Sequence, residues 1–192
     1  MPDICNRISK NITSRKCGSS GGLNFNSWTF QKDQFEDAET LSPTKALSSF
    51  TLKTDELGIK GKGRAKRGSG AAKLTTAENG SSEVEQTLIQ EYRFGDQEEL
   101  EALEEFLKAD GKVVFQELAN GKIRVFFKAF GSEASTGEEG TGETLTADNE
   151  IMKVTLTGKE PKFPMYFEAP IGTTGLTQIA ASRAYLNSMT KP

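Results

Sequence analysis

The chain has 192 residues, of which 35% are hydrophobic, and a formal net charge of −3 at pH 7. This length and hydrophobic content suit one domain of ordinary size, and the slightly acidic balance argues against a protein whose main partner is nucleic acid. No run of about 18 apolar residues is present, and the first residues lack the apolar stretch of a secretory signal. We therefore expect a soluble protein that is made in the cytosol and does not enter a membrane.

The sequence contains no histidine and only two cysteines, Cys5 and Cys17. The commonest general base and the commonest zinc ligand are therefore absent, and two thiolates alone do not complete a usual structural zinc site. We find neither a G-x-S-x-G elbow nor a phosphate-binding loop. The sequence predicts no catalytic residue, no metal site and no cofactor, and it favours a protein that is not an enzyme.

In chain order, the first 22 residues are polar and end in the Gly-rich stretch 17–22, which predicts an extended N-terminal arm over 1–22. Apolar and polar residues alternate over 23–31, which is typical of a β-strand. A second strand is expected near 50–58, with Phe50 and Leu52 on one face.

Residues 59–82 hold almost no large apolar side chain, and this composition predicts a long loop. No acidic residue lies between Glu56 and Glu78, whereas the segment carries the basic residues Lys60, Lys62, Arg64, Lys66, Arg67 and Lys73. These side chains could dock on an acidic surface of a neighbouring copy, bind a phosphate backbone, or belong to a disordered loop. Docking is favoured because no aromatic residue is interleaved to stack on bases.

The clearest helix signal covers 96–110. Asp96 is placed to cap the first turn with Glu99 three residues later, and Gly111 is placed to end the helix. One face carries the apolar side chains of Leu100, Leu103, Phe106 and Leu107. The other face is acidic, and its residues Glu98, Glu101 and Glu105 are candidate partners of the basic loop, together with Glu99 and Glu104. A strand with alternating apolar residues is predicted before this helix, over 84–94.

Residues 112–130 predict a β-hairpin closed by a two-residue type I′ turn at Asn120 and Gly121. This register would place Glu117 opposite Arg124 and Phe115 opposite Phe126. Phe126 and its neighbour Phe127 would then point to opposite faces of the strand. One apolar face would need cover by a helix, a second sheet or another subunit, so Phe126 and Phe130 are candidate interface residues.

The remaining segments complete a mainly β chain. Residues 131–149 predict an acidic Gly/Thr-rich loop, and two strands follow over 150–158 and 163–169. The last residues, 171–192, predict a C-terminal extension with a short helix from Thr177 to about Leu186.

The order of these elements resembles the tail tube proteins of long-tailed phages, whose fold is shared with inner tube proteins of contractile injection systems and type VI secretion. The resemblance covers about 120 residues. It is carried by the strand and amphipathic helix ending at Asp110, the strand pair around Asn120, the Gly/Thr-rich loop, and the closing VTLTGKEPKFPMYFEA. The arm containing Cys17, followed by Gly21 and Gly22, also resembles the start of such sequences.

This resemblance implies a tail-tube-like domain over 23–170, built of two packed antiparallel sheets that form a barrel or sandwich flanked by one α-helix. It also implies a virion structural protein whose copies form stacked rings, expected to be hexameric, around a lumen for DNA delivery. Other tail proteins, such as the tape measure, the terminator and a sheath, would be partners, and DNA would pass without specific binding. The alternatives are a neck, terminator or capsid decoration protein, a nucleic-acid-binding module that uses the basic loop, an enzyme without histidine, and a β-rich adhesin or carbohydrate binder.

Overall fold

The computed structural model describes residues 23–64, 68–76, 81–94, 96–140, 151–171 and 177–191. The described part of the protein is mainly β, with 53% of its residues in strands, which form two sheets accompanied by two α-helices. The elements in chain order are β1 (Leu23–Gln31), β2 (Phe35–Leu41), β3 (Leu47–Leu52), β4 (Ile59–Lys62), β5 (Ser69–Thr76), β6 (Ser82–Arg93), α1 (Gln97–Lys108), β7 (Lys112–Leu118), β8 (Ile123–Phe126), β9 (Ala134–Gly140), β10 (Ile151–Glu160), β11 (Met165–Phe167) and α2 (Gln178–Ser188).

The strands form two sheets that pack face to face. Sheet 1 has seven strands in the order β2-β3-β11-β8-β7-β1-β4, and sheet 2 has four in the order β5-β6-β10-β9. The central strand β7 is buried on both faces from Lys112 to Glu117. Sheet 1 is therefore the middle layer of the molecule.

Two hydrophobic cores lie on the two faces of sheet 1. The first core contains Trp28, Phe30, Phe50, Phe115 and Phe167, and Leu186 of α2 covers it. Its aromatic rings pack edge to face or tilted, with centroids of Phe50 and Phe115 5.1 Å apart. The second core lies between the sheets and includes Leu88, Val114, Phe126, Val154 and Leu156. The layers thus run α2, sheet 1, sheet 2, with α1 covering one side of the second core.

Sheet 1 curls around the first core. The three residues 32–34 connect β1 directly to β2. In the strand order of sheet 1, however, β2 lies at one edge, and β1 lies next to β4 at the opposite edge. The ring centroids of Phe30 and Phe35 are only 5.7 Å apart, so the β2–β3 end of the sheet bends back toward β1. The two sheets do not close into a barrel within the described residues, and the architecture is sandwich-like.

The predicted strands at 23–31, 84–94 and 150–158 are confirmed as β1, β6 and β10, and the alternating burial of β6 follows the apolar pattern. The predicted helix is confirmed as α1. The side chain of Asp96 accepts a hydrogen bond from the backbone N–H of Glu99 at 2.9 Å, as expected for an N-cap.

The prediction of a long loop over 59–82 is wrong. This segment contains β4, β5 and the first residue of β6. Both β4 and β5 are edge strands that pair with a hydrophobic strand on one side only, β4 with β1 and β5 with β6. Strands at a sheet edge tolerate small and lysine-bearing sequences because they pack on fewer neighbours, so these segments lack the apolar pattern of a strand.

The helix predicted near the C-terminus is confirmed as α2, capped by the Thr177 side chain. Its role as part of a C-terminal arm over 171–192 needs correction. Leu186 is completely buried in the first core, and Thr190 forms a bridge with Gly58. The described part of this extension therefore belongs to the packed domain, which has two helices instead of the one predicted.

The hairpin of β7 and β8 forms with a register one residue away from the prediction. Glu117 pairs with Ile123, and Phe115 pairs with Val125. The connection has three residues instead of two, because the N–H of Leu118 bonds to the carbonyl of Lys122 and Gly121 adopts a φ of 80°. The predicted N-terminal arm at 1–22 and residues 141–149 of the predicted acidic loop lie outside the described residues. The part of that loop at 134–140 is β9.

Candidate assembly surfaces

The two edges of sheet 2 carry opposite charges. At one edge, β5 pairs over all eight of its residues with β6, while its other side meets no strand of the described residues. It carries Lys73 and no acidic residue. At the other edge, β9 carries Glu138 and Glu139 and no basic residue. A basic edge and an acidic edge on the same sheet can meet between two copies of the chain.

The outer face of sheet 2 is mainly polar, although it includes the half-buried Ile89 and Ile151, and none of its described side chains is buried. Its threonines and serines surround cross-strand ion pairs, Lys159 with Glu83 at 2.8 Å and Lys153 with Glu138 at 3.5 Å. Four basic residues and four acidic residues point outward from the described strands, namely Lys73, Arg93, Lys153, Lys159, Glu83, Glu85, Glu91 and Glu138. This face therefore has a formal charge near zero.

The basic residues predicted as an interface fall into separate places. Lys60 and Lys62 are exposed on the edge strand β4, and Lys73 is exposed on β5, opposite Glu85. Arg64 is half-buried and binds Glu91 within the chain, with 3.4 Å between the guanidinium and the carboxylate. Lys66 and Arg67 lie outside the described residues. The segment is thus divided between the edges of the two sheets instead of forming one basic loop.

The predicted acidic residues Glu98, Glu101 and Glu105 are exposed on α1. The helix stands opposite β4, and a groove of about 590 Å³ separates the two. Lys60 and Lys62 line one side of this groove and Glu99 and Glu105 line the other. Basic and acidic residues of the prediction therefore line the same groove within one chain.

Phe126 cannot act as an interface residue, because only 1% of it is exposed and it packs between the two sheets. Phe127 has a φ of 57°, which ends the strand alternation and turns its side chain into the same core. This positive φ explains why two successive phenylalanines are both buried. Phe130, by contrast, is 67% exposed.

A buried carboxylate holds the turn that presents Phe130. Glu160 is 4% exposed, and its oxygens accept hydrogen bonds from the N–H of Ala129 at 2.8 Å and of Phe130 at 3.0 Å. The side chain of the buried Gln86 accepts from the N–H of Phe127 at 2.9 Å and donates to the carbonyl of Lys162 at 2.9 Å. Neither residue is predicted from the sequence, since a single Glu or Gln on a strand gives no signal of a distant turn.

Three exposed apolar side chains lie at this end of the sandwich. Leu74 pairs with Val84, which in turn pairs with Glu160, and Phe163 follows Glu160 by three residues. Leu74 and Phe163 are each 52% exposed, beside the 67% of Phe130. We refer to Leu74, Phe130 and Phe163 as the apolar end. Exposed apolar groups that gather at one place are typical of contact surfaces.

Two buried titratable groups lie beside the groove. The phenol of Tyr92 donates to the amide oxygen of Gln90 at 3.0 Å, and burial raises the pKa of Tyr92 to about 12. The amine of Lys112 donates to the carbonyls of Ala109 and Leu107 at the C-terminal end of α1, and burial lowers the pKa of this amine. Both groups bind other parts of the chain and so serve packing.

Within the described residues, no group of three or more Cys, Asp and Glu side chains could hold a metal ion. None of the described helices has the length and apolar character needed to cross a membrane. Comparisons with protein-family models, with curated proteins and with solved structures found no match to this chain.

Proposed function

We propose that this protein is a structural subunit that assembles with copies of itself, and specifically a tail tube subunit of a phage virion. The observation that carries the proposal is sheet 2, whose two outermost strands bear opposite charges and pair on one side only among the described residues. In the proposed assembly, β5 of one copy pairs with β9 of the next. The four-stranded sheets then join into a continuous barrel, and the ring closes as a hexamer.

The packing of the chain supports this arrangement. A free edge of eight residues is an aggregation hazard, and closure of a ring removes it because every edge finds a partner. Sheet 2 has its inner face against the core and a polar outer face that no other described element covers. The outer face of each sheet would line the lumen.

The charge of that face suits a conduit for DNA. A strongly basic lumen would bind the phosphate backbone, and this binding would resist passage. The outer face of sheet 2 instead balances its basic residues with an equal number of acidic ones, many of them paired across strands. Such a near-neutral face offers DNA no attractive basic track.

The apolar end supplies the second contact that a tube needs. Rings must also stack, and the proposed stacking surface includes Leu74, Phe130 and Phe163. Their apolar side chains lie at the ends of strands, where the next ring would lie. The other proposed partners are tail proteins at the ends and inside of the tube, and the proposed location is the virion.

Electron microscopy of the purified protein over a concentration series tests the proposal. We expect hollow tubes or stacked six-fold rings of uniform diameter. Single rings that never stack would favour a neck or terminator protein instead. A monomer at every concentration, also after addition of preformed tail tips, would contradict self-assembly.

A further inference from the structure

A cation on β8 has no acidic partner within the described part of the chain. The guanidinium of Arg124 donates to the carbonyl of Pro164 at 2.8 Å and lies over the rings of Phe126 and Tyr166, at 5.8 and 5.6 Å from their centroids. Its Nε is buried and has no hydrogen-bond partner among the described residues. The two aromatic rings thus hold this cation in place, although no described carboxylate binds it.

The guanidinium of Arg124 lies under the β5 edge of sheet 2. A Cβ on Gly70 of β5 would stand 2.6 Å from the ring of Phe126, and Arg124 lies over that same ring. Ala72 of β5 pairs with Gln86, which donates to the segment between β10 and β11, the segment that also accepts from Arg124. Because Arg124 is only half-buried, a side chain on a strand added to β5 can reach it from this inner side of the sheet.

At the opposite edge of sheet 2, the inner side of β9 carries an anion. Glu139 pairs with Met152 of β10, whose side chain belongs to the second core, so Glu139 projects toward the same inner side of the sheet. Its side chain is exposed and forms no hydrogen bond or ion pair with any described residue. The neighbouring Glu138 points to the outer face instead, where it binds Lys153. The inner sides of the two edges therefore hold one cation and one anion, each without an oppositely charged partner in the described chain.

The strand directions decide how these two edges can meet. Three successive antiparallel pairings separate β5 from β9, so β9 runs opposite to β5, and the two strands would pair antiparallel in a ring. A shift by one residue would turn the inner side chains outward. Among the registers that keep the faces, one places Lys73 opposite Glu138 of the next copy on the outer side. The same register places Ala72 opposite Glu139 of the next copy on the inner side, beside Arg124.

We propose that Glu139 of one copy binds Arg124 of the next across the joint between β9 and β5 and fixes the register of that joint. This inference rests on the proposed ring. A guanidinium suits the role because it can donate two parallel hydrogen bonds to one carboxylate. The joined strands separate this pair from the lumen, so salt screens it less than the exposed pair of Lys73 and Glu138.

The concentration that is needed for assembly, measured by light scattering, tests the ion pair. Glu139→Gln should raise this concentration about tenfold, at low and at high salt, because it leaves Arg124 without a carboxylate. Glu36→Gln removes the same charge from an exposed residue of β2 and should assemble like the wild type. In an Arg124→Gln background, adding Glu139→Gln should cause no further change, as expected for two residues that act as a pair. Assembly of Glu139→Gln at the wild-type concentration would overturn the ion pair.

A pair of introduced cysteines reads the register without involving the ion pair. In a chain whose native cysteines are replaced by serine, Thr75→Cys/Thr136→Cys should form a disulfide between copies on assembly, because these outward positions lie opposite each other. Ala71→Cys/Thr136→Cys is the control and should not crosslink, since its positions lie four residues apart, about 13 Å.

The two measurements separate the failure of this inference from the failure of the ring. A crosslink at the first cysteine pair, with wild-type assembly of Glu139→Gln, would overturn the ion pair and leave the ring intact. A crosslink in the control pair instead would overturn the register. A wild type that forms no rings at any concentration would overturn the proposed function and this inference together.

Discussion

The turn at 127–131 depends on one buried carboxylate, that of Glu160. It accepts hydrogen bonds from two successive backbone N–H groups, and only 4% of the residue is exposed. The Glu160→Gln variant keeps the size of the side chain but loses the charge and turns an NH₂ toward one of the donors. We expect the free energy of unfolding to fall by about 1.5–3 kcal/mol, the range for hydrogen bonds to charged groups.

Urea unfolding followed by tryptophan fluorescence measures this change, because the only tryptophan, Trp28, is buried in the first core. Glu133→Gln, an exposed substitution at the start of the neighbouring strand, is the control and should change stability by less than about 0.5 kcal/mol. Equal effects of the two substitutions would show that Glu160 does not hold the turn.

The buried phenol of Tyr92 makes stability depend on pH in the alkaline range. Its pKa is raised to about 12 from 10.0, chiefly by burial. The unfolded chain therefore loses this proton at lower pH than the folded chain. The stabilisation is fully present below pH 10 and is lost as pH rises toward 12, with a slope of up to about 1.4 kcal/mol per pH unit.

Thermal unfolding between pH 9 and pH 11.5 checks this dependence by comparing the wild type with Tyr92→Phe. The lowered pKa of Lys112 acts in the opposite direction, since stability then rises with pH, but it contributes equally to both proteins and cancels. We expect the phenylalanine variant to lose less stability over this range. Tyr166→Phe, at a residue that is 43% exposed, should behave like the wild type.

At the scale of elements, an ion pair joins α2 to sheet 1. The guanidinium of Arg183 binds the carboxylate of Glu117 through two bonds, of 3.1 and 2.5 Å, and Glu117 is completely buried. Arg183→Met would leave this carboxylate with the amides of Asn24 and Asn26 as its remaining side-chain donors. We expect a loss of about 1–3 kcal/mol, less than for a fully buried pair because Arg183 is 41% exposed.

Urea unfolding of Arg183→Met measures this loss. Lys108→Met removes an exposed ion pair on α1 instead, and it should change stability by less than about 0.5 kcal/mol. If the double variant Glu117→Gln/Arg183→Met is as unstable as Arg183→Met alone, then the cost does not come from an unpaired buried charge.

The elements differ in how far the sequence predicts them. α1 and β6 have complete local signals, a cap and a periodic apolar face, and both were predicted well. β4 and β5 lack such signals, because an edge strand receives its hydrogen bonds from a neighbour and needs few apolar residues. The register of the β7–β8 hairpin was missed because a single bond, from Leu118 to Lys122, decides the length of its loop.

The candidate site shows the same division between local and long-range information. The exposure of Phe130 and of the acidic face of α1 could be predicted from local patterns. The burial of Phe126 could not, because it depends on the positive φ of Phe127 and on the second sheet. The basic residues are divided between two sheet edges because β4 pairs with β1 and β5 pairs with β6. Local sequence patterns in 59–82 do not predict either pairing.

At the scale of the whole molecule, the charges on the two free edges of sheet 2 give the proposed assembly a direction. Lys73 on β5 would face Glu138 on β9 of the next copy, and this contact is heterologous, so it repeats around a ring. Lys73→Glu places like charges at the contact, and so does Glu138→Lys. We expect each single variant to remain a folded monomer under conditions in which the wild type assembles.

The double variant Lys73→Glu/Glu138→Lys exchanges the two charges and should restore assembly, because opposite charges again meet across the edge. Light scattering and electron microscopy at matched concentrations measure the result, with circular dichroism to verify the fold. Lys45→Glu, an exposed substitution in the β2–β3 turn far from either edge, controls for the change in net charge. Because ion pairs at exposed edges are screened, the loss in the single variants should be greater at low salt than at high salt. Assembly of both single variants at the wild-type concentration would show that copies do not meet through β5 and β9, and the apolar end would then be the contact to test.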